Sequence, residues 1–297
     1  MTDITKEQAG RHLGKAVTYA DQYDSNLLVP VERVHNRIGY GIDENDLPFI
    51  GYDTWNAYEV SFLLSNGFPV SCVAKINYPC TSHSIIESKS IKLYLNSFNM
   101  TKFEGSKWEA VKTVEGIIAS DLTAVLGAKV DVALHFDATN AHLWSKYEHA
   151  PFHNLEELID AEDVEFTHFN EDPEILQLET NEDYSKVLRV HSNLLRSNCR
   201  ITNQPDWGDV YIHIEGEKIP TAESLTQYIV SMRKESHFHE EICECIYKRL
   251  WDKFQPEKLM VTCIYTRRGG IDICPARASH EELLSDSLRD VTRHVEK

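Results

Sequence analysis

The chain has 297 residues, 42% of them apolar, enough to bury a substantial core and close to the length at which one core divides into two. Thirty Lys and Arg stand against 47 Asp and Glu, and the net charge of −17 repels nucleic acid and anionic membranes. The seven cysteines, odd in number and irregularly spaced, suit reduced thiols better than a disulfide framework. Met1 to Lys15 holds no apolar run fit for a signal peptide, and nowhere do about 18 apolar residues follow one another. The composition therefore predicts a soluble, cytoplasmic protein with no membrane span and no direct contact with nucleic acid. The 13 glycines form neither GxGxxG nor GxxxxGK[ST], which excludes a Rossmann fingerprint and a Walker loop.

Along the chain, Ala57 to Leu64 and Pro69 to Tyr78 alternate in part and flank Ser65-Asn66-Gly67, which predicts a hairpin. Ser106 to Leu126 places Trp108, Val111, Val114, Ile118, Leu122 and Val125 at helical spacing, behind a Ser106-x-x-Glu109 capping box and ahead of Gly127. A half-buried strand follows at Val130, Val132, Leu134 and Phe136. Residues 151 to 190 carry twelve Asp and Glu against Lys186 and Arg189, the mark of a solvated linker or insertion.

Beyond it, Val210, Ile212 and Ile214 predict a strand, and Leu225, Tyr228, Ile229 and Met232 a helix. A second helix runs over Ile242, Ile246, Leu250, Trp251 and Phe254. Leu259 to Tyr265 and Ile271 to Ile273 close the half as strands around Arg267-Arg268-Gly269-Gly270. Each half is then an α+β unit with an antiparallel sheet and helices on one face, which suggests a duplication. The organisation is a module at 1–150, an acidic linker or insertion at 151–186 and a second module at 187–297.

Three segments could carry chemistry. Cys199 lies between Arg196 and Arg200 and ahead of a Pro205-Asp206 turn, where cations favour a thiolate and Asp206 could serve as an acid; a buried cysteine beside an Asx turn is the plain alternative. His237-Phe238-His239-Glu240-Glu241 opens a helix, where acids are favoured in any case. Ile86-Glu87-Ser88-Lys89-Ser90 on local grounds is a solvated helix start. His239 and Cys243 are four apart on one helix face with His237 and Cys245 nearby, but no CxxC supports a zinc site and no metal is expected.

The run Glu87-Ser88-Lys89-Ser90-Ile91-Lys92-Leu93-Tyr94-Leu95-Asn96-Ser97-Phe98-Asn99 closely resembles the signature of the NADPH-dependent 7-cyano-7-deazaguanine reductases, the QueF nitrile reductases of queuosine (tRNA modification) biosynthesis. Ser197-Asn198-Cys199 with Gln204-Pro205-Asp206-Trp207, Phe238-His239-Glu240, and Tyr265 to Ile273 resemble the family's other blocks in the family's order. The resemblance implies tandem tunnelling-fold modules in the long, two-module form, a homodimer, NADPH as cofactor and a small deazapurine as substrate. It further implies that Cys199 is a nucleophile forming a thioimide and Asp206 its proton donor. Ile86, Glu87, Ser88, His239 and Glu240 would bind substrate; Ser88, Lys89, Arg268 and Gly269 would bind NADPH. Two rival chemistries remain open: a Cys199/His239/Asp206 hydrolase working without nicotinamide, and a metal-dependent purine or pterin hydrolase of the cyclohydrolase kind.

Overall fold

The computed structural model describes residues 20–136, 152–160, 164–181 and 186–285. The expectation about a leader in Met1 to Lys15, and the residues on either side of position 150, lie outside them. The first module runs β1 (Pro30–Glu32), α1 (Val34–Arg37), β2 (Ile50–Leu64), β3 (Pro69–Pro79), β4 (Ser84–Ile86), α2 (Ser88–Ser97), β5 (Lys102–Phe103), α3 (Lys107–Leu126) and β6 (Asp131–His135). The second follows with β7 (His153–Asn154), β8 (Val187–Cys199), β9 (Pro205–Glu215), α4 (Ala222–Ser231), β10 (Ser236–His237), α5 (His239–Phe254), β11 (Lys258–Tyr265) and β12 (Ile271–Ala278). Each module is thus a long hairpin, two helices and closing strands, the α+β order of tandem tunnelling-fold modules.

One mostly antiparallel sheet runs through both modules in the order β10-β8-β9-β11-β12-β2-β3-β6, and the modules join where β12 pairs with β2. Ser65-Asn66-Gly67 does turn the first hairpin, with Gly67 at φ +84°. β2 and β12 extend beyond the segments that the sequence pattern marks, β2 back to Ile50 and β12 on to Ala278, because pairing with each other carries them on. α3 starts at the expected capping box, where Glu109 N donates to Ser106 Oγ at 3.3 Å and Ser106 N donates to Glu109 Oε2 at 2.8 Å. It ends at Gly127, in the left-handed region. Val111, Val114, Ile118 and Leu122 are buried, each contributing roughly 1.5–3 kcal/mol. Trp108 departs from the expected stripe at 59% exposure, lying in the first turn edge-on to Phe136.

Strand alternation puts Trp55, Ala57, Val210, Ile212, Val261 and Cys263 on one face of the sheet, and all the long helices cover that face. The opposite face carries only a small apolar group around Tyr52, Met260 and Ala276. Between the two helix-covered cores lies a buried ion cluster. Arg277 bonds Asp53 at 2.9 Å and Glu244 at 2.8 Å, Arg37 reaches Glu244 at 2.7 Å, and Arg33 holds Asp53 at 2.5 Å. Charges this deep persist only when paired, and here the pairing ties α1 and β2 of the first module to α5 and β12 of the second.

The acidic stretch is not solvated throughout. Leu155 and Leu176 are buried in the second module's core, β7 pairs with β8, and Glu171 accepts hydrogen bonds from Arg249 and Tyr228, both at 3.0 Å. Leu155 and Leu176 dock, while Glu157, Asp160, Glu165 and Glu174 face outward together with Leu158 and Leu178.

Candidate active site

Cys199 is the last residue of β8, and its N–H donates to Gln204 O at 2.8 Å across a turn that passes through Asn203 at φ +55°. Pro205 and Asp206 do not form the expected turn; they open β9, opposite Asn198 and Ser197. Proline is tolerated there because the first residue of a strand can forgo its donor. The consequence is geometric. Residues directly opposite in a ladder share a face, so Ser197, Asp206 and, two residues on, Cys199 all project to the helix-covered side as diagonal neighbours.

The helix above completes the group. β10 pairs His237 with Cys199, and α5 begins at His239 rather than at His237 as the sequence pattern suggests. His239 Nε2 lies 3.5 Å from Asp206 Oδ2, and its ring sits over Tyr265 with centroids 3.9 Å apart. Arg268 donates to the other oxygen of Asp206 and to Gln204. Burial pushes the Asp206 carboxyl up, but His239 and Arg268 outweigh it and hold the group below its ordinary value. Asp206 is therefore ionised at neutral pH.

Cys199 is half-buried, whereas the other six cysteines are fully buried. Burial raises the thiols of Cys80, Cys243, Cys245 and Cys274, which makes them inert. The two arginines flanking Cys199 are committed elsewhere: Arg196 donates to Arg233 O, and Arg200 to Glu241 at 2.9 Å and Asn36 at 2.7 Å. His237 bonds Glu235 and Glu241, both at 2.8 Å, and clamps the approach to α5. Cys243 points its thiol at Val261 O, 3.4 Å away in the core. Among the described residues no three His, Cys, Asp or Glu converge as a metal site, and no helix is long and apolar enough to cross a membrane.

Two glutamates from different modules approach this region. Glu87 is the N-cap of α2 and accepts from Lys89 N at 2.9 Å and Ser90 N at 2.7 Å; burial raises its carboxyl, and these bonds work against the rise. Its strand, β4, pairs with β1, and Val31 and Ile85 of that pair pack against Ile201 and Phe238. The wall bearing Ile86, Glu87 and Ser88 thus adjoins the turn after Cys199 and the residue before His239 within one chain. Glu240, in the first turn of α5, is buried with Oε1 unpartnered. Burial and the charge of Asp53 push it up to about 8, against Arg33 and Arg277.

A set of cations lies beside the β11–β12 turn. α2 presents Lys89 and, one turn on, Lys92, whose Nζ stands 3.0 Å from where a Cβ on Gly269 would be. Gly269 adopts φ +57°, and a shallow pocket there is lined by Glu59, Lys92, Asn96, Gly269 and Gly270. Lys92, paired with Glu59 at 3.5 Å, and the Gly269 backbone line this pocket, Lys89 stands one turn back on α2, and Arg268 is held by Asp206 and Gln204. These are groups of the kind that suit phosphate.

Residues 19–134 match the family model described as nitrile reductase, 7-cyano-7-deazaguanine-reductase N-term, and residues 205–283 match that of QueF-like protein. A NADPH-dependent 7-cyano-7-deazaguanine reductase of Polaromonas sp. is 42% identical over 278 residues, covering 93% of this chain and 96% of that protein. Its namesake in Colwellia psychrerythraea is 38% identical over 278 residues, with 91% and 92% covered. The chain belongs to the 7-cyano-7-deazaguanine reductase family.

Of the residues the family resemblance singles out, Cys199, Asp206, His239 and Arg268 meet around one end of β9. Ile86, Glu87 and Ser88 form the adjoining wall, with Lys89 and Gly269 beside the cation pocket. Glu240 turns toward the ion cluster at the module junction. Sequence reasoning missed two neighbours of these family residues. Lys92 could have been found by its i+3 spacing from Lys89, but nothing local marks Tyr265 as the surface under His239.

Proposed function

We infer that this chain is an NADPH-dependent oxidoreductase acting on the nitrile of 7-cyano-7-deazaguanine, and we propose that it works through a thioimide on Cys199. The enzyme class, cofactor and substrate follow from family membership. The observation that carries the mechanism is the half-buried Cys199 as diagonal neighbour of the ionised Asp206.

A nitrile carbon is a weak electrophile, and a sulfur nucleophile activates it. Cys199 Sγ bonds to that carbon while Asp206 takes the thiol proton and passes it to the nitrogen, leaving a neutral thioimide. Because Asp206 starts ionised, the proton it donates is the one it has just received. Ser88, Lys89, Lys92, Arg268 and the Gly269 backbone would hold NADPH, which would supply the hydride for the substrate carbon in each of two rounds. After the first, the C–S bond breaks, Cys199 leaves as thiolate and an imine remains. In the second, His239 delivers a proton to the nitrogen and the aminomethyl product forms; solvent then reprotonates His239 and the Cys199 thiolate. The base offers ring N–H and amine donors; Glu87 accepts them as a carboxylate and Glu240, which holds its proton, through its unprotonated oxygen, with Ile86 and Ser88 as wall.

A Cys199/His239/Asp206 hydrolase would use the same three residue types, but neither it nor the metal-dependent hydrolase gives the cations of α2 a task. The chain acts on the free base before it enters tRNA, since a −17 surface is repelled by polyphosphate. It pairs as a homodimer that covers the open edge at β6.

Incubation with 7-cyano-7-deazaguanine and no NADPH tests the mechanism by intact mass. A substrate-mass adduct that maps to Cys199 is expected. Turnover by a wild-type enzyme that never shows the adduct would overturn it.

A further inference from the structure

Next to Asp206 the sheet holds three polar atoms that no neighbour satisfies: Ser197 Oγ, Tyr265 Oη and His239 Nε2. Ser197 and Tyr265 are 0% and 2% exposed. They come from separate strands and share one patch of the helix-covered face. Ser197 stands opposite Asp206 on β8, and Tyr265 stands opposite Gly208 on β11. A side chain at position 208 would foul Tyr265, since a Cβ there would lie 3.1 Å from Tyr265 Cδ1 and 3.0 Å from Ile264 O. The missing Cβ lets the phenol ring lie beneath His239, centroid to centroid at 3.9 Å. Tyr265 Oη faces Ser197 Oγ and feels the Asp206 charge, and the contact between the two hydroxyls falls short of full hydrogen-bond geometry.

Two buried hydroxyls with no more than a weak contact to each other are costly where they stand, and phenylalanine at 265 or alanine at 197 would fill the place without that penalty. Ser197 stands opposite Asp206 and Tyr265 lies under His239 within reach of the Asp206 charge, while His239 is itself 3.5 Å from that carboxylate. Side chains around a reacting group often reach hydrogen-bond distance only in the substrate complex.

We propose that the hydroxyls of Ser197 and Tyr265 are positioning groups for the Asp206–His239 pair, closing onto it when substrate binds and fixing it for proton transfer to the substrate nitrogen. The proposal rests on the proton-transfer role given above to Asp206 and His239. Ser197 and Tyr265 touch neither substrate nor cofactor in this scheme. They act through the pair, so their loss slows the chemistry and leaves ground-state binding alone.

The test is Tyr265→Phe and Ser197→Ala in the full chain, each with a melting curve, steady-state kinetics and the intact-mass assay for the Cys199 adduct. Both variants should melt at or above the wild-type temperature, with KM for the cyano substrate within about twofold and kcat about tenfold lower. Adduct should still form, more slowly. Wild-type kcat in both variants would overturn the proposal, and so would a kcat loss that merely follows a loss of folded protein. A rise in KM at unchanged kcat would also overturn it, by making these hydroxyls substrate contacts. Failure of the covalent reading shows separately, as a wild type that turns over without adduct; the kcat comparison then still decides this proposal.

Discussion

Both modules begin with a long hairpin that bulges part-way, between Ala57 and Val60 in the first and between Ser192 and Leu195 in the second. They finish it differently. The first closes through Ser65-Asn66-Gly67, with no group fit for covalent chemistry; the second closes through 200–204 with Cys199 at its lip and Asp206 on the return strand. The helix starts diverge as well. Glu87 caps α2 with both oxygens on backbone N–H groups, whereas Glu240 sits inside the first turn of α5 with Oε1 bare. Under the mechanism proposed above, one scaffold serves two tasks, reaction in the second module and holding groups in the first. The two glutamates show that burial alone does not set an acid's state: partners do.

The contrast between hairpin ends breaks most completely at Cys199. Cys199→Ala should lower turnover by on the order of 10³-fold or more, while Cys243→Ala, deep in the core, should keep most of it. Steady-state NADPH oxidation reads both, and near-wild-type turnover by Cys199→Ala would erase the distinction between the modules.

The junction between the modules comes next. Glu244→Gln leaves Arg37 and Arg277 facing each other without their shared carboxylate, at a cost of about 3–5 kcal/mol in urea unfolding. A loss under 1 kcal/mol would mean that the cluster does not hold the halves together.

Asp206→Asn keeps the shape and removes the titratable group, so kcat should fall on the order of 10²-fold with a smaller change in substrate affinity. An affinity loss at unchanged kcat would make Asp206 a binding residue.

The smallest effects separate the two glutamates. Glu240 is raised from 4.5 to about 8, so between those values the folded chain holds a proton that the unfolded chain has released. Stability therefore falls as pH rises from about 4.5 to about 8. Glu240→Gln should remove that slope from a plot of melting temperature against pH, and parallel curves for variant and wild type would show that Glu240 is not the group responsible. Glu87→Ala should instead lose a helix cap, about 1 kcal/mol.

Much of this arrangement was readable from spacing. The hairpin at Ser65-Asn66-Gly67 and the capped helix from Ser106 rest on local chemistry, which tertiary contacts then reinforce. Pro205-Asp206 misled because both residues favour turns, and only pairing with Ser197 and Asn198 makes them a strand. The −10 balance of 151–190 hid Leu155 and Leu176, which dock although their neighbours are charged. The cluster of Arg33, Asp53, Glu244 and Arg277 was illegible because its members are far apart in sequence and each alone looks like a surface charge. Lys92 and Tyr265 lay inside segments already recognised, and their roles appear only once the fold sets them against Gly269 and His239.

The seam between the modules has a mechanical meaning. β12 and β2 are laced together over eight residue pairs, from Ile271 opposite Ala57 to Ala278 opposite Ile50. A clamshell motion of one half against the other would have to unlace that backbone ladder, so the two halves travel as one plate. A reaction that consumes two cofactor molecules in succession must nonetheless release one and admit the next. The turns at 200–204 and 266–270 hang from the same end of the plate and are held there by side-chain contacts, Arg268 to Gln204 and Asp206, and Arg200 to Glu241 and Asn36. For the reaction proposed above, cofactor exchange then falls to these side-chain contacts, which can break one at a time, rather than to the sheet, which cannot.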